Sequence, residues 1–248
     1  MSAPRVGYQL YSARSACARD FAAVIRAVGA LGYDGVELAG LHGHPAAAVR
    51  GWLDEAGLVA CGVHTSVARL SDAAGEVVAE AAELGTDRIV LASAATPTDP
   101  ASADAVAATI RELGAKVTAA GGRFAFHNHA VELAVHGVAT TIDRLLDAPP
   151  LELELDLGWA WIAEVDPLAL LRRAAPGVPL AHVKDFLRHD GDACCPVGEG
   201  VMDWGALLPA VAATQGVEWL IVEQDVSAGD ELDEARRSLN GVRRLLGR

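Results

Sequence analysis

The sequence predicts an α/β protein, a single-domain (β/α)8 TIM barrel that spans residues 1–248. Its 248 residues match the roughly 250 that this fold typically needs. Short β-type runs alternate with longer helical patterns along the whole chain, which predicts a parallel sheet covered by helices. The units follow one another without a long linker, and the first turn lacks a Gly-x-Gly-x-x-Gly fingerprint. Closure into a barrel is therefore favoured over an open dinucleotide-binding sheet.

Eight strands are predicted from short runs of apolar and branched residues, most of them entered through a glycine-containing turn. Strands of four to six residues are typical of parallel sheets buried on both faces. The predicted strands are Val6–Leu10, Gly35–Leu38, Leu58–Val63, Arg88–Leu91, Arg123–His127, Leu151–Leu155, Leu180–Val183 and Trp219–Val222.

Helices are predicted between these strands from stretches rich in Ala, Leu and Val, several of which begin with Asp, Thr or Pro. Several of them end at a glycine, such as Gly32, Gly57 or Gly121. A residue with left-handed backbone geometry lets the chain reverse from a helix into a parallel strand. The predicted helices are Asp20–Leu31, Pro45–Ala56, Asp72–Leu84, Asp104–Ala120, Thr140–Leu146, Pro167–Ala174, Trp204–Thr214 and Asp230–Leu245.

Charge and composition exclude several classes of partner. The formal net charge is −13, from 20 basic and 33 acidic residues, and such a field repels phosphate backbones, so nucleic acid is not expected as a partner. No apolar stretch approaches the about 18 residues that span a bilayer, and no signal-peptide pattern precedes the first strand. We expect a cytoplasmic protein without a membrane partner, whose cysteines (Cys17, Cys61, Cys194 and Cys195) stay reduced.

Polar residues collect at the ends of nearly all the predicted strands, where a packed barrel interior should be apolar. Taken singly, each has an ordinary structural explanation: a strand-end histidine is often a hydrogen-bonded partner, and Glu37 or Asp156 can cap the next helix. Together they indicate a metal, because converging carboxylates and imidazoles repel one another and lose hydration unless a cation compensates. The residues include Glu37, His64, His127, His129, Glu132, Asp156, His182, Lys184 and Glu223.

Seven segments make the chain resemble one known family, the sugar phosphate isomerase/epimerase group with a xylose isomerase-like TIM barrel. They occur in the order that the family has and extend from the first predicted strand to the last. The segments are VGYQLYSAR (6–14), GYDGVEL (32–38), FHNHAVEL (126–133), LELDLGWAWIAEVDP (153–167), AHVKDF (181–186), VGEGVMDW (197–204) and VEWLIVEQD (217–225).

The resemblance implies one divalent metal ion as cofactor, with Mn²⁺ expected first and Co²⁺, Mg²⁺ or Zn²⁺ as alternatives. Its ligands would be Glu132, Asp156, His182 and Glu223. Many relatives carry the glutamate of the fifth strand where this chain has His127, so His127 is the alternative ligand at that position.

The resemblance also implies the chemistry, which is proton transfer next to a carbonyl group with a metal-stabilised enediolate. Glu132 and Glu223 would exchange the proton, while His127 and Lys184 would orient hydroxyls or stabilise the oxyanion. The expected substrate is a small sugar or cyclitol without a phosphate, because no glycine-rich phosphate loop with a nearby arginine is evident. Residues expected to bind it are Glu37, His64, His129, Trp159 and Glu199.

Three alternatives stay open. A lyase of the same barrel family, such as an inosose dehydratase or an enzyme that eliminates the aglycone of a 3-keto-glycoside, would share the first step. A metal nuclease like endonuclease IV would need more ligands and a basic surface. A non-catalytic sugar-binding barrel would need no metal. The apolar content of 52% is compatible with a homo-oligomer in each case.

Overall fold

Eight parallel strands close into a barrel in the computed structural model of the protein, which describes residues 3–147 and 151–248. Each strand pairs with its neighbours in chain order, and the first pairs with the last, so the predicted (β/α)8 architecture is confirmed. The strands are β1 (Arg5–Gln9), β2 (Gly35–Leu38), β3 (Val59–Thr65), β4 (Arg88–Leu91), β5 (Arg123–His127), β6 (Glu152–Asp156), β7 (Leu180–Val183) and β8 (Trp219–Val222).

Helices surround the barrel, as the alternating pattern predicts. Within the described ranges, no helix combines the length and the apolar character needed to cross a membrane. The helices are α1 (Arg14–Arg19), α2 (Phe21–Leu31), α3 (Ala46–Ala56), α4 (Val67–Glu83), α5 (Pro100–Ala119), α6 (Thr141–Leu146), α7 (Leu157–Ile162), α8 (Pro167–Ala174), α9 (Trp204–Ala212) and α10 (Glu231–Leu245).

Two helices begin earlier than their apolar patterns predict, because polar caps fix their starts. The Ser66 side chain accepts a hydrogen bond from the Arg69 amide, so α4 begins at Val67 and continues across a non-helical residue at Ala73. Asp99 and Ser102 form a reciprocal capping box, so α5 begins at Pro100. The predicted starts at Asp72 and Asp104 therefore fall inside these helices.

Short elements that the sequence pattern did not predict lie next to the C-terminal strand ends. Single 3₁₀ turns follow β1 (Leu10–Ala13) and β5 (Ala130–Leu133), and the short helices α1 and α7 come soon after β1 and β6. A two-stranded antiparallel ribbon, Asp185–Phe186 with Cys194–Cys195, follows β7. These elements place additional side chains around the end of the barrel where catalytic groups are found in this fold.

The N-terminal half of the barrel interior is a packed apolar layer. Trp219, the first residue of β8, is 1% exposed, and glycines on the neighbouring strands leave room for its ring. A Cβ atom at Gly35 would lie only 2.7 Å from Cη2 of Trp219, so a larger residue there would displace the indole. The buried carboxylates and histidines of the barrel interior lie towards the opposite end. The layer consists of Cys61, Val90, Ala125, Leu180, Trp219 and Ile221.

Candidate functional site

Four potential metal ligands converge at the C-terminal ends of β5 to β8. Asp156 and His182 are direct partners in the β6–β7 register, and His127 and Glu223 lie at the ends of the flanking strands. One ligand atom from each of the four side chains lies within 4.8 Å of the others, and all four residues are buried. This set is called the four-ligand group below.

The geometry of the four-ligand group suits a divalent cation. Oδ2 of Asp156 lies 3.9 Å from Nε2 of His127 and 3.8 Å from Nδ1 of His182. Two atoms bound to one ion at about 2.1 Å lie roughly 3–4 Å apart. This Oδ2 atom is buried, and the Lys184 ammonium that contacts it at 3.1 Å is shared with Glu223 and Asp225, so a further cation would compensate the remaining carboxylate charge. Two carboxylates with two imidazoles are a donor set for Mn²⁺, Co²⁺ or Zn²⁺.

Asp156 is held in place from both sides. Its Oδ1 atom accepts a hydrogen bond of 2.7 Å from the Trp159 amide and so caps α7. Its own amide donates to Oδ1 of Asn128 at 2.9 Å, which ties the end of β6 to the end of β5. The cap fixes Oδ1, so Oδ2 is the oxygen directed at the imidazoles.

Lys184 is fully buried beside the four-ligand group. Its Nζ atom lies 2.6 Å from Oδ2 of Asp225, 2.9 Å from Oε2 of Glu223 and 3.1 Å from Oδ2 of Asp156. Burial by itself lowers the pKa of Lys184, but the three carboxylates raise it well above its ordinary value. Lys184 is therefore an ammonium ion, which balances carboxylate charge and does not act as a base.

The histidines and carboxylates fall into charged and neutral sets. Burial and the neighbouring Lys184 lower the pKa of His129 to about 4, so its imidazole is neutral at pH 7. Burial and the nearby His182 likewise lower the pKa of His127 well below its usual value. Burial opposes ionisation of Glu223, but Lys184 and His182 overcome it and hold the pKa of Glu223 well below its ordinary range. A carboxylate and a neutral imidazole thus lie side by side in the site.

A second layer of polar groups lies deeper in the barrel. Oε2 of Glu154 is 2.6 Å from Nε2 of His64, and Oε2 of Glu37 is 2.8 Å from Nε2 of His182. Burial disfavours the cation of His64, yet Glu37 and Glu154 raise its pKa to about 10. His64, His127, Glu154 and His182 form a second set of potential metal ligands that shares two histidines with the four-ligand group. The sequence predicts only one such set.

Glu154 is a polar residue of the site that the sequence analysis does not single out, because it lies inside a predicted strand. It is fully buried, and its Oε2 atom contacts His64, His127 and His182. Side chains alternate between the two faces of a strand, so Asp156 facing the interior implies that Glu154 faces it as well. The run Leu-Glu-Leu-Glu-Leu-Asp (151–156) carried this signal.

The four-ligand group opens onto a cavity of about 500 Å³. Glu223, Asp225, His64, His127 and His129 supply its polar wall, and none of the described residues that line it is an arginine or a lysine. The remaining wall is formed by small or uncharged residues that follow β1 to β4: Tyr11, Ala39, Gly40, Thr65, Ser66, Ala92 and Ser93.

Two predicted site residues lie apart from the cavity. Oε2 of Glu132 accepts a hydrogen bond of 2.8 Å from the His129 amide, and Glu132 belongs to neither ligand set among the described residues. The geometry therefore does not support Glu132 as the ligand from β5; His127 occupies that position. Glu199 pairs with Arg237, whose Nε lies 3.0 Å from Oε1, so its carboxylate is engaged on the exposed loop and not by a substrate.

Glu37 and Trp159 lie close to the cavity in different ways. Glu37 is fully buried and bonded to Gln9 and His182, so it contacts the histidines and not the cavity. The Trp159 ring lies 5.0 Å from Nζ of Lys184 and 5.7 Å from the His129 ring. The predicted role of Trp159 as an apolar wall for a sugar remains a prediction.

The cysteines of the ribbon are not activated thiols. Cys194 and Cys195 are both buried. Burial raises the pKa of Cys194, and it raises that of Cys195 to about 12. A thiol with a raised pKa holds little thiolate, which is the nucleophilic form.

The fold and the site together define a (β/α)8-barrel protein with a buried carboxylate–imidazole centre at the C-terminal strand ends. The chain belongs to the xylose isomerase-like TIM barrel family, whose model matches residues 25–245. No protein with a curated description matches the sequence at a significant level.

Solved structures share the fold at low sequence identity. A sugar phosphate isomerase/epimerase from Parabacteroides distasonis has 17% identity and a TM-score of 0.80, with 97% of this chain and 96% of that chain covered. A probable 3-DHS dehydratase from Bacillus anthracis has 14% identity and a TM-score of 0.76, with 95% and 97% covered. A D-psicose 3-epimerase has 18% identity and a TM-score of 0.69, with 98% and 100% covered. These identities support a common fold.

Proposed function

We propose that the protein is a metal-dependent isomerase or epimerase of a small sugar or cyclitol, which moves a proton next to a carbonyl group. The observation that carries the proposal is the four-ligand group of His127, Asp156, His182 and Glu223. It opens directly onto a cavity large enough for such a substrate.

The carboxylates of Asp156, Glu223 and Asp225, which share the one ammonium of Lys184, support a bound cation. His127, Asp156, His182 and Glu223 would hold it, with Mn²⁺ as the first candidate and Co²⁺, Mg²⁺ or Zn²⁺ as alternatives. Bound there, the ion supplies Lewis-acid stabilisation of negative charge on substrate oxygens.

Proton movement is assigned to residues that line the cavity. We assign removal of the proton next to the carbonyl to Glu223, because its carboxylate is ionised and lines the cavity. The neutral imidazole of His129 lines the same cavity and holds or returns a proton at a second position. Lys184 stays an ammonium ion and keeps Glu223 ionised. Glu132, which the resemblance suggests as the second acid–base group, accepts a hydrogen bond from the His129 amide and is not among the described residues that line the cavity, so we assign it no proton transfer.

The lining of the cavity favours a substrate without a phosphate. Recognition of a phosphate requires arginine, lysine or several free backbone amides. The described lining residues include two carboxylates, Glu223 and Asp225, and no arginine or lysine. The nearest cation, Lys184, already contacts three carboxylates. We therefore propose a neutral sugar or cyclitol.

Metal content and proton exchange test the proposal. We expect about one Mn, Co, Mg or Zn per chain by elemental analysis of the wild type, and its loss in the His182→Ala, Glu223→Ala double variant. Glu199→Gln, on the exposed loop, is the control that should keep the metal. With metal present, a panel of keto-sugars and keto-cyclitols in heavy water should show deuterium next to the carbonyl.

Absence of metal from the wild type, even after addition of Mn²⁺, would refute the proposal and favour a sugar-binding barrel. Metal binding without exchange of any substrate-borne proton would retain the metal centre and remove the isomerase assignment.

Elimination is the second candidate. The lining of the cavity includes small uncharged residues such as Gly40 and Ala92, which are compatible with a leaving group. Proton removal next to the carbonyl would be the same first step. Isomerisation conserves the mass of the substrate, whereas elimination releases water or an aglycone, so mass spectrometry of the product distinguishes the two.

A further inference from the structure

Two fully buried glutamates, Glu37 on β2 and Glu154 on β6, lie behind the four-ligand group and do not line the cavity. Oε2 of Glu37 accepts hydrogen bonds of 2.8 Å from Nε2 of Gln9 and of 2.8 Å from Nε2 of His182. Oε2 of Glu154 lies 2.6 Å from Nε2 of His64. We call Glu37 and Glu154 the inner glutamates.

The inner glutamates contact the two histidines of the four-ligand group on their far sides. Besides its bond to Glu37, Nε2 of His182 lies 3.1 Å from Oε2 of Glu154. Nδ1 of His127 lies 3.0 Å from the same oxygen. The opposite nitrogens, Nδ1 of His182 and Nε2 of His127, face Oδ2 of Asp156 at 3.8 and 3.9 Å. Each ring thus has one nitrogen on an inner glutamate. The other nitrogen faces Asp156, and in His182 it also lies 2.7 Å from Oε2 of Glu223, which is itself a member of the four-ligand group.

A carboxylate on one ring nitrogen determines what the other nitrogen does. It accepts the N–H of the ring, so the remaining nitrogen carries the lone pair that binds a metal. It also fixes the rotation of the ring and makes the ligand more basic. Glu37 has the hydrogen bond required for this role on His182. Oε2 of Glu154 lies 3.0 Å from Nδ1 of His127, which is close enough for such a bond, although the two groups are not aligned for it.

The backbone around Glu37 is shaped to bring its side chain into this position. The β2–β3 register shifts between Val36 and Glu37, and such irregularities re-aim side chains next to functional sites. On β3, a Cβ atom at Gly62 would lie 2.6 Å from Oε1 of Glu37, closer than atoms approach without displacement. Glycine at position 62 therefore leaves the space that the Glu37 carboxylate occupies.

We infer that Glu37 and Glu154 are positioning residues that hold His182 and His127 with one nitrogen directed at the metal. The inference rests on the metal centre of the proposed function and deepens it. It assigns Glu37 a contact with His182 in place of the substrate contact expected from the sequence.

A second metal among His64, His127, Glu154 and His182 is the competing interpretation. It would require His127 and His182 to bind through their far-side nitrogens. The far-side nitrogens lie 2.8 to 3.1 Å from the inner glutamates, which are hydrogen-bond lengths. In the four-ligand group, Nδ1 of His182 lies 2.7 Å from Oε2 of Glu223, but both imidazoles are 3.8 to 3.9 Å from Oδ2 of Asp156, which leaves room for an ion between them. The geometry therefore favours one metal with two positioning glutamates.

The test measures the affinity and stoichiometry of Mn²⁺ by electron paramagnetic resonance on the metal-depleted full chain. Glu154→Gln and Glu37→Gln keep the size of the side chain and remove its charge. We expect binding of one Mn²⁺ per chain with a Kd raised about 10- to 100-fold. Glu152→Gln is the matched control, because Glu152 lies on the same strand but pairs with Arg123 at the other end, and its Kd should equal that of the wild type.

Gly62→Ala provides a variant that leaves every polar group in place. The added methyl displaces the Glu37 carboxylate, so its Kd should rise in the same direction as that of Glu37→Gln. Circular dichroism melting of each metal-free variant identifies the folded fraction. If a glutamine variant does not fold, Glu154→Asp and Glu37→Asp replace it, and a raised Kd is again expected.

The outcomes are distinguishable. Wild-type affinity, within a factor of two, in the folded glutamate variants and in Gly62→Ala would overturn the inference and leave the proposed function intact. Two ions per wild-type chain, falling to one in Glu154→Gln, would overturn it in favour of the second metal. No Mn²⁺ binding by the wild type would overturn both the inference and the proposed function.

Discussion

The two ends of the barrel use charge in opposite ways. At the N-terminal end, Arg88 lies 3.1 Å from Glu218, and Arg123 lies 2.6 Å from Glu152. These arginines therefore face carboxylates that are themselves partly exposed. At the C-terminal end, carboxylates are buried in excess of the one nearby lysine in the described part of the chain. The excess set comprises Glu37, Glu154, Asp156 and Glu223, with Asp225 beside them.

This difference in burial and charge balance separates ion pairs that need no ligand from carboxylates that a cation would stabilise. Partly exposed ion pairs contribute little and cost little, so the N-terminal end is stable without any addition. A buried set with excess carboxylate is costly and becomes favourable when a cation joins it. We therefore expect the C-terminal end, where Lys184 and the protonated His64 balance only part of the carboxylate charge, to be more stable with a bound cation than without one.

The largest expected effect comes from removing one cation at each end. Lys184→Met leaves the buried carboxylates of Asp156 and Glu223, and the half-buried one of Asp225, without their ammonium, which should lower the free energy of unfolding by about 3–5 kcal/mol. Arg88→Met leaves Glu218, which is about half exposed, and should cost only about 1 kcal/mol. Thermal denaturation with and without Mn²⁺ checks the comparison. Mn²⁺ should restore much of the loss in Lys184→Met only; equal losses at both ends would refute the contrast.

Removal of the metal should lower the free energy of unfolding. At an ion concentration about 100 times the Kd, the bound metal stabilises the fold by about 2.7 kcal/mol. For a chain of this size that equals a Tm difference of about 5–10 °C. Differential scanning calorimetry with EDTA or Mn²⁺ measures it. The His182→Ala, Glu223→Ala double variant is the control, and a response of this variant to Mn²⁺ would place the metal elsewhere.

Glu132→Gln tests whether the buried carboxylate of Glu132 takes part in metal binding. Burial raises the pKa of Glu132 from its ordinary 4.5 to about 7. The fold therefore favours the protonated form, and the associated stability is present below about pH 4.5 and lost as pH rises through 7. Glu132→Gln should be more stable than the wild type by about 2 kcal/mol at pH 8 and nearly equal to it at pH 4.5.

The metal content of Glu132→Gln should stay at the wild-type value, because Glu132 contacts the His129 amide and not the four-ligand group. Loss of metal in this variant would restore the ligand set expected from the resemblance.

The smallest expected effect concerns the thiols. Burial raises the pKa of Cys17 and Cys195 to about 12, so they hold almost no thiolate at pH 8. Titration with an aromatic disulfide reagent should detect little reaction in the native protein and all four thiols after denaturation. A fast-reacting thiol in the native state would add a reactive group to the C-terminal end.

The fold was predictable because its signals are local. Most of the short apolar strands follow a glycine-containing turn. The predicted run Leu180–Val183, for example, coincides with β7. Asp156, His182 and Glu223 were predictable because each stands at a strand end inside a recognisable segment. Helix starts at Val67 and Pro100 were not, since side-chain caps and not apolar periodicity determine them.

The roles of the glutamates required three-dimensional information. The sequence allows either Glu132 or His127 as the metal ligand after β5. In the structure, the 3₁₀ turn Ala130–Leu133 directs the Glu132 carboxylate to the His129 amide. Glu37 stands at a strand end like Glu223, but the register shift and Gly62 decide that it meets His182. Such choices depend on packing between strands that are distant in sequence.

A cation bound by the four-ligand group would be connected to a helix through the side chain of Asp156. Its Oδ1 begins α7, and its Oδ2 faces the histidines, so any ion that pulls on one oxygen also pulls on the first turn of α7. Trp159 lies in that turn with its ring over Lys184. The fluorescence emission of Trp159 should therefore depend on the radius of the bound ion. It would then report which metal occupies the site.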